Sequence, residues 1–331
     1  NFILVPLWHI RDDVHTVRIF RATNTENKSF LVEMKQNDLL SLTAFRMKMA
    51  IMGNFVWFAK EEQLVKLTGY LYANTPTADP VHRMGWQKRY GFYAFGNGVV
   101  YGNTFIKANE QGMVTIPQVG TFYFPAASEV WRNEENVYFY ERNFFHRDLS
   151  GFSLNEYATQ LIKVFGDNGK VGLTFVFAAI FRDIIVAHTD KFPILNIFGQ
   201  KNTGKTELAV SLMAFFLNNT KPDNLNSTTL SAAGRIVARC CNAMVHFDEY
   251  KNSLNPKFID FFKGLWDRTG RTLSNKDDDK KSESTAVDTA VVITGQEMPK
   301  VPYASHAGPP RASTAIRGRG APRRPLTGRP A

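Results

Sequence analysis

The chain has 331 residues, 44% of them hydrophobic and 13% aromatic, enough to fill ordinary packed cores in two or three domains. Its net charge of +10 looks like a nucleic-acid footprint until it is located: Lys300, Arg311, Arg317, Arg319, Arg323, Arg324 and Arg329 supply seven of those charges with no acid among them, so the rest is near neutral and net charge carries no argument for DNA. Cys240 and Cys241 are adjacent and the histidines show no HxxxH pair, which excludes a disulfide framework and a zinc site and fits a reducing, cytoplasmic setting.

The chain opens on Asn1 rather than Met and is read as a fragment. Residues 14–21 and 28–34 alternate apolar and polar around a polar TNTEN turn at 23–27, which predicts a hairpin. Two helices are expected next, one from about Asp38 to Gly53 with Asn37 as its cap, the other from about Lys60 to Asn74, stopped before Pro76. Residues 1–75 thus form a first domain. From Val81 to Tyr140 short aromatic strands are separated by Gly, Asn and Pro, so 76–150 reads as a β-rich accessory domain.

Helical periodicity returns at 153–165 and 171–188. The apolar stretch from Val171 to Val186 is interrupted by Arg182 and Asp183 and falls short of the roughly 20 residues of a membrane span, so a buried helix and no membrane are expected. Strands then alternate with helices: apolar runs at 192–198, 243–247 and 289–294, and an amphipathic helix over 205–217. The fold class predicted for 151–298 is α/β, a parallel sheet with crossover helices in three layers, and with GQKNTGKT at 199–206 following its first strand it is that of P-loop NTPases. From 299 to 331 the composition collapses to Arg, Pro, Gly, Ala and Ser, and disorder is expected; a flexible basic arm and an end read out of frame are both open.

The chemistry concentrates at three strand ends. Gly199, Gln200, Lys201, Asn202, Thr203, Gly204, Lys205 and Thr206 spell GxxxxGK[ST] between a buried strand and a helix that continues with Glu207. Backbone N–H groups and the helix dipole would converge there on phosphates. Lys205 would reach the β- and γ-phosphates of ATP, and the Thr206 hydroxyl would ligate Mg2+. VHFDE ends the second strand in two carboxylates, Asp248 for the magnesium shell and Glu249 as the base that orients water; a second acid there separates hydrolysing ATPases from small-molecule kinases. His246 reads as a satisfied core residue. The third strand ends in Thr294 and Gln296, and Gln296 is the candidate sensor of the γ-phosphate or attacking water. Residues 268–285 are dense in charge; they are either a solvated loop or a protruding hairpin whose Arg271, Lys276, Lys280 and Lys281 touch a nucleic-acid backbone.

The series FPILNIFGQKNTGKTELAVSLMAFF, AMVHFDEYKN, FFKGLWDRTGR and KKSESTAVDTAVVITGQEMP resembles the helicase-type ATPase module of bacterial plasmid, phage and conjugative-element primase-helicases, similar to superfamily 3 within the AAA+ group. MGWQKRYGFYAFGNG at 84–98 resembles the segment preceding the P-loop in that family. The resemblance implies an ATP-dependent DNA helicase in mobile-element replication, working on single-stranded DNA as a homo-oligomeric ring, usually a hexamer. It also implies an arginine finger after the third strand, where this chain has its Arg/Pro segment instead. The competing functions are a regulatory ATPase switch that does not translocate and a P-loop kinase.

Overall fold

The computed structural model describes residues 1–12, 16–73, 75–148, 151–218, 221–266, 287–298 and the backbone of 272–274, 282–284 and 313–317. They divide into two units, Asn1–His146 and Arg147–Ala331. In the first, β1 (Phe2–Ile10), β2 (Val17–Asn24) and β3 (Ser29–Lys35) form an antiparallel meander. The expected hairpin is the β2–β3 pair, closed where Asn24 Oδ1 accepts the backbone N–H groups of Glu26 and Lys28. Alternation along β2 serves two cores. Phe20 and Ala22 face one that holds Phe45, Met49, Leu64 and Leu71, while Val17 and Ile19 face another with Ala78, Met113 and Tyr123.

Helices α1 (Gln36–Leu40), α2 (Leu42–Ala50) and α3 (Glu61–Tyr72) follow. The single helix expected over 38–53 is broken at Ser41, whose ψ of 121° leaves the helical region while its Oγ accepts the N–H of Ala44 and caps α2. β4 (Thr77–Pro80) then joins β1 in parallel, and β10 (Gly120–Tyr123) joins β4, with β9 (Met113–Ile116) outside it. Residues on both sides of position 75 therefore share one sheet, a coupling between distant segments that no local pattern carries. Strands β5 (Met84–Gln87), β6 (Phe92–Phe95), β7 (Gly98–Tyr101) and β8 (Thr104–Lys107) pair antiparallel in order, and α4 (Phe139–Asn143) ends the unit. Gly98 has φ 154°, and a Cβ there would lie 2.3 Å from the Ile106 carbonyl oxygen, so the meander needs glycine at that point.

The second unit opens with α5 (Leu154–Phe165), α6 (Asp167–Ile180) and α7 (Arg182–Thr189). Ser153 and Glu156 form a reciprocal capping box at the start of α5. The helix expected over 171–188 is two, bent by 84° between α6 and α7, and among the described residues no single helix is long and apolar enough to cross a membrane. Next come β11 (Ile194–Phe198), α8 (Lys205–Met213), β12 (Asp223–Asn224), α9 (Leu230–Ala238), β13 (Cys240–Cys241), β14 (Met244–Tyr250) and α10 (Pro256–Trp266). An antiparallel ribbon, β15 (Thr272–Ser274) with β16 (Ser282–Ser284), precedes β17 (Ala290–Gly295) and β18 (Ser313–Arg317).

The central sheet has the order β12-β14-β17-β11-β18, every pair parallel. All six residues of β17 are buried, as a strand covered on both faces must be. Helix α8 packs across β11, β14 and β17, and Phe262 of α10 meets Phe247 of β14 with ring centroids 6.1 Å apart. The unit is thus α/β around a parallel sheet, with five strands where three were expected. One of the additions lies within 299–331, the segment expected to be disordered: residues 313–317 pair with β11 from Ile194 to Phe198, and the rest of the segment falls outside the described residues. Composition counts apolar side chains, but the open edge of β11 offers a row of backbone N–H and C=O groups to a chain that reaches it.

Candidate functional site

A parallel sheet collects its strand ends along one edge, and a strand with neighbours reached by different crossovers marks the crevice there. In the second unit that strand is β11, flanked by β17 and β18. Residues 199–204 lead from it into α8. The turn starts at Gly199, whose N–H donates to the Gly295 carbonyl at 3.3 Å, tying the loop to the end of β17. Gly199, Asn202 and Gly204 have φ of 154°, 63° and 78°. Such residues let successive backbone N–H groups turn toward one side, and among the described residues no side chain caps the first turn of α8.

Lys205 Nζ donates to the Gln200 carbonyl at 2.6 Å, and Thr203 Oγ1 donates to the same oxygen at 2.9 Å. The lysine therefore folds over the loop instead of extending into solvent. Gln200, Lys201, Asn202 and Glu207 are exposed, while Thr203, Gly204, Lys205 and Thr206 are half-buried. The lead-in helices support this loop. A Cβ on Gly204 would lie 3.7 Å from Phe165 Cε1 at the end of α5, and one on Gly172 of α6 would lie 2.8 Å from Leu212 Cδ1 of α8.

Asp248 and Glu249 stand where β14 leaves its register with β17. Phe247 pairs with Ile293 and Tyr250 with Gly295, so the two acids occupy a β-bulge. Glu249 adopts φ 62°, an uncommon conformation for a non-glycine residue and one that redirects its side chain out of the strand's alternation. The bulge is held from both sides. Asp248 Oδ1 accepts the N–H of Glu249 at 2.7 Å and the hydroxyl of Thr294 at 2.5 Å. On the β12 side, the N–H of Leu225 donates to the Asp248 carbonyl at 3.0 Å and Asn226 Nδ2 donates to the Glu249 carbonyl at 3.3 Å. A Cβ on Gly295 would sit 2.7 Å from the Tyr250 carbonyl oxygen, so β14 and β17 close up just beyond the acids only because that residue is glycine.

His246 is buried as expected, and its Nε2 lies 2.8 Å from Thr294 Oγ1. Burial pulls its pKa down to about 4, against the opposing pull of Asp248, so the ring is neutral at neutral pH. Of the two polar residues ending β17, Thr294 is the one the fold brings to Asp248; Gln296 lies exposed beyond the strand, directly after the Gly295 carbonyl that holds Gly199. The contact of Thr294 follows from register across β14 and β17, whereas sequence shows only that both residues end a strand. Asn226, which holds the Glu249 carbonyl, and Asn224, whose Oδ1 accepts the Asn226 N–H, carry no motif signal in the sequence. The charged segment pairs as a ribbon, Thr272 opposite Ser284, but Arg271, Lys276, Lys280 and Lys281 fall outside the described residues.

Magnesium prefers hard oxygens and binds through one or two protein ligands beside phosphates and water. Thr206 Oγ1 and Asp248 Oδ2 are oxygens of that kind, so the donor set fits such an ion. No group of three or more His, Cys, Asp or Glu side chains suited to holding a metal occurs among the described residues, so the set is not a closed protein cage. Two cavities, of about 800 and 340 Å3, are lined by first-unit residues and include none of these positions. Cavity shape and motif position thus disagree. Meeting strand ends are the better guide here, because a phosphate cradle is an open backbone loop and not an enclosed apolar space. Compared with known proteins, the chain matches no family model and no curated protein.

Proposed function

We propose that the second unit is a P-loop ATPase core of the AAA+ kind, and that the chain acts as an ATP-dependent DNA helicase or translocase-like motor in replication of a mobile genetic element. One observation carries the ATPase reading: GQKNTGKT joins β11 to α8 with its first N–H on the end of β17, whose Thr294 in turn holds Asp248 of β14. In this reading the loop N–H groups and the first turn of α8 cradle the phosphates of ATP, and Lys205 exchanges the Gln200 carbonyl for the β- and γ-phosphate oxygens. Thr206 and Asp248 hold Mg2+, which neutralises charge on those phosphates. Glu249 orients the attacking water as general base.

The motor part of the proposal is supported by the motif resemblance and by the β15–β16 ribbon, which sits where a DNA-contacting hairpin would lie in the chain order. It includes single-stranded DNA as partner, a homo-oligomeric ring that is usually a hexamer in the family resembled, and the reducing, cytoplasmic setting that two cysteines adjacent in sequence, Cys240 and Cys241, suggest. The core of the reading is tested with a fluorescent ATP analogue. Lys205→Ala should weaken binding by about a hundredfold or more, equivalent to about 2.7 kcal/mol. Equal affinity of the parent and the variant would sink the assignment.

A further inference from the structure

We propose that His246 and Thr294 are positioning residues for Asp248, a buried relay that reserves one carboxylate oxygen for the protein and turns the other toward the cation. The inference rests on the ATPase reading and adds a division of labour within its acidic strand. Thr294 is fully buried, with a single proton on Oγ1, and its nearest acceptor is Asp248 Oδ1 at 2.5 Å; the Phe247 carbonyl, at 3.5 Å, is a poor alternative. A hydroxyl that donates to a carboxylate is left with only lone pairs for its other neighbour. His246 Nε2, at 2.8 Å, must therefore be the donor, which assigns the Nε2–H tautomer from the hydrogen-bond network. The chain of bonds has one direction, from His246 through Thr294 to Asp248.

The second donor to the same oxygen is the N–H of Glu249, which reaches it because the bulge turns that residue to φ 62°. Oδ1 is thus bonded twice, by a side chain fixed in the core and by the backbone. Oδ2 accepts no bond from another described residue. Side chains that orient a metal-binding carboxylate raise its affinity by lowering the cost of ordering it, and removing such a partner typically weakens metal binding about 10- to 100-fold. The relay also links strands β14 and β17, so the carboxylate is held by the same contact that fixes their register at the bulge.

The test uses Thr294→Val, which keeps the shape and removes the hydroxyl, and Thr294→Ser, which keeps the hydroxyl. Binding of a fluorescent ATP analogue is titrated with Mg2+ and, separately, in EDTA, alongside urea unfolding. A positioning role predicts that Thr294→Val needs about tenfold more Mg2+ for half-maximal enhancement of binding, that affinity in EDTA is unchanged, and that Thr294→Ser restores the Mg2+ requirement. His246→Gln, whose amide can still donate, should resemble the parent in Mg2+ dependence, and His246→Leu should resemble Thr294→Val. An unchanged Mg2+ requirement in Thr294→Val, or equal losses with Mg2+ and in EDTA that track lowered stability, overturns the relay and leaves only core packing. Failure of the ATPase reading looks different, because the parent protein itself would then bind no nucleotide in either condition.

Discussion

Both units run parallel strands to an edge rich in polar residues, and they treat that edge differently. In the first unit β1, β4 and β10 run parallel, and around their ends the polar groups satisfy one another. Tyr123 donates to Glu33 Oε2 at 2.9 Å, Trp131 Nε1 donates to the same oxygen at 3.3 Å, and His82 lies 3.3 Å from Asp12. Chain leaves β10 through Phe124 into a three-residue 3-10 helix that begins with Pro125. In the second unit the chain leaves β11 through a loop with three positive-φ residues and enters a nine-residue helix whose first turn no side chain caps among the described residues. Strand ends supply a place. An anion cradle needs in addition a turn that points backbone N–H groups outward and a helix long enough to carry a dipole.

That contrast can be broken most sharply at Glu249. If the bulge presents this carboxylate as a general base, Glu249→Gln in the full-length protein should lower ATP turnover by about a hundredfold to ten-thousandfold while nucleotide binding persists. Steady-state phosphate release and analogue binding, measured together, give the answer, and unchanged turnover would remove Glu249 from the mechanism.

The two units should also differ in the pH range over which each loses stability. Burial holds the folded pKa of His246 near 4, below the 6.5 of an exposed imidazole. The unfolded chain then binds more protons between those values, so this contribution is complete above about pH 6.5 and drains away as pH falls toward 4. In the first unit, burial and the nearby charges of Glu33 and Glu141 push Tyr138 up to about 12 from 10.0. Its contribution is complete below about pH 10 and is lost as pH rises toward 12. Each group changes stability by at most about 1.4 kcal/mol per pH unit. Urea midpoints followed across pH should show His246→Gln flattening the acid limb and Tyr138→Phe the alkaline limb. If each variant instead shifted the whole curve uniformly, burial would not be the source of the pH dependence.

The smallest effect belongs to the charged ribbon. If Lys276, Lys280 and Lys281 meet DNA phosphates, changing all three to Ala should flatten the slope of log affinity for single-stranded DNA against log salt by about two, at roughly 0.7 per contact. Both proteins should carry Gln at Arg319, Arg323, Arg324 and Arg329 so that the basic end does not dominate. Removing that end outright would also remove β18 from the central sheet. An unaltered slope in the assembled protein would favour a regulatory switch over a motor.

Local signals were legible wherever they depended on neighbours in sequence. The hairpin β2–β3, the helix α5, the buried runs that became β11, β14 and β17, and the glycine loop before α8 all follow from periodicity and turn chemistry. Breaks within helices were not legible. Ser41 interrupts a continuous apolar period by taking the role of cap, and the bend at Phe181 falls just before Arg182 and Asp183, which interrupt the apolar stretch but do not by themselves say that the helix turns there. Nor was β1 anticipated, although it is the strand on which both β2 and β4 pair.

By itself, then, the sequence determined which residue types stand at each strand end: a lysine and threonine after a glycine turn, two adjacent acids, a threonine and a glutamine. Only the tertiary structure decided which of them meet. Pairing of β14 with β17 carries Thr294 to Asp248, leaves Gln296 outside the strand and turns Glu249 to positive φ, because a one-residue change of register reverses which side chains share a face. The same reasoning covers β18. Its pairing with β11 is made by backbone groups, which every residue but proline carries alike and which composition therefore cannot announce.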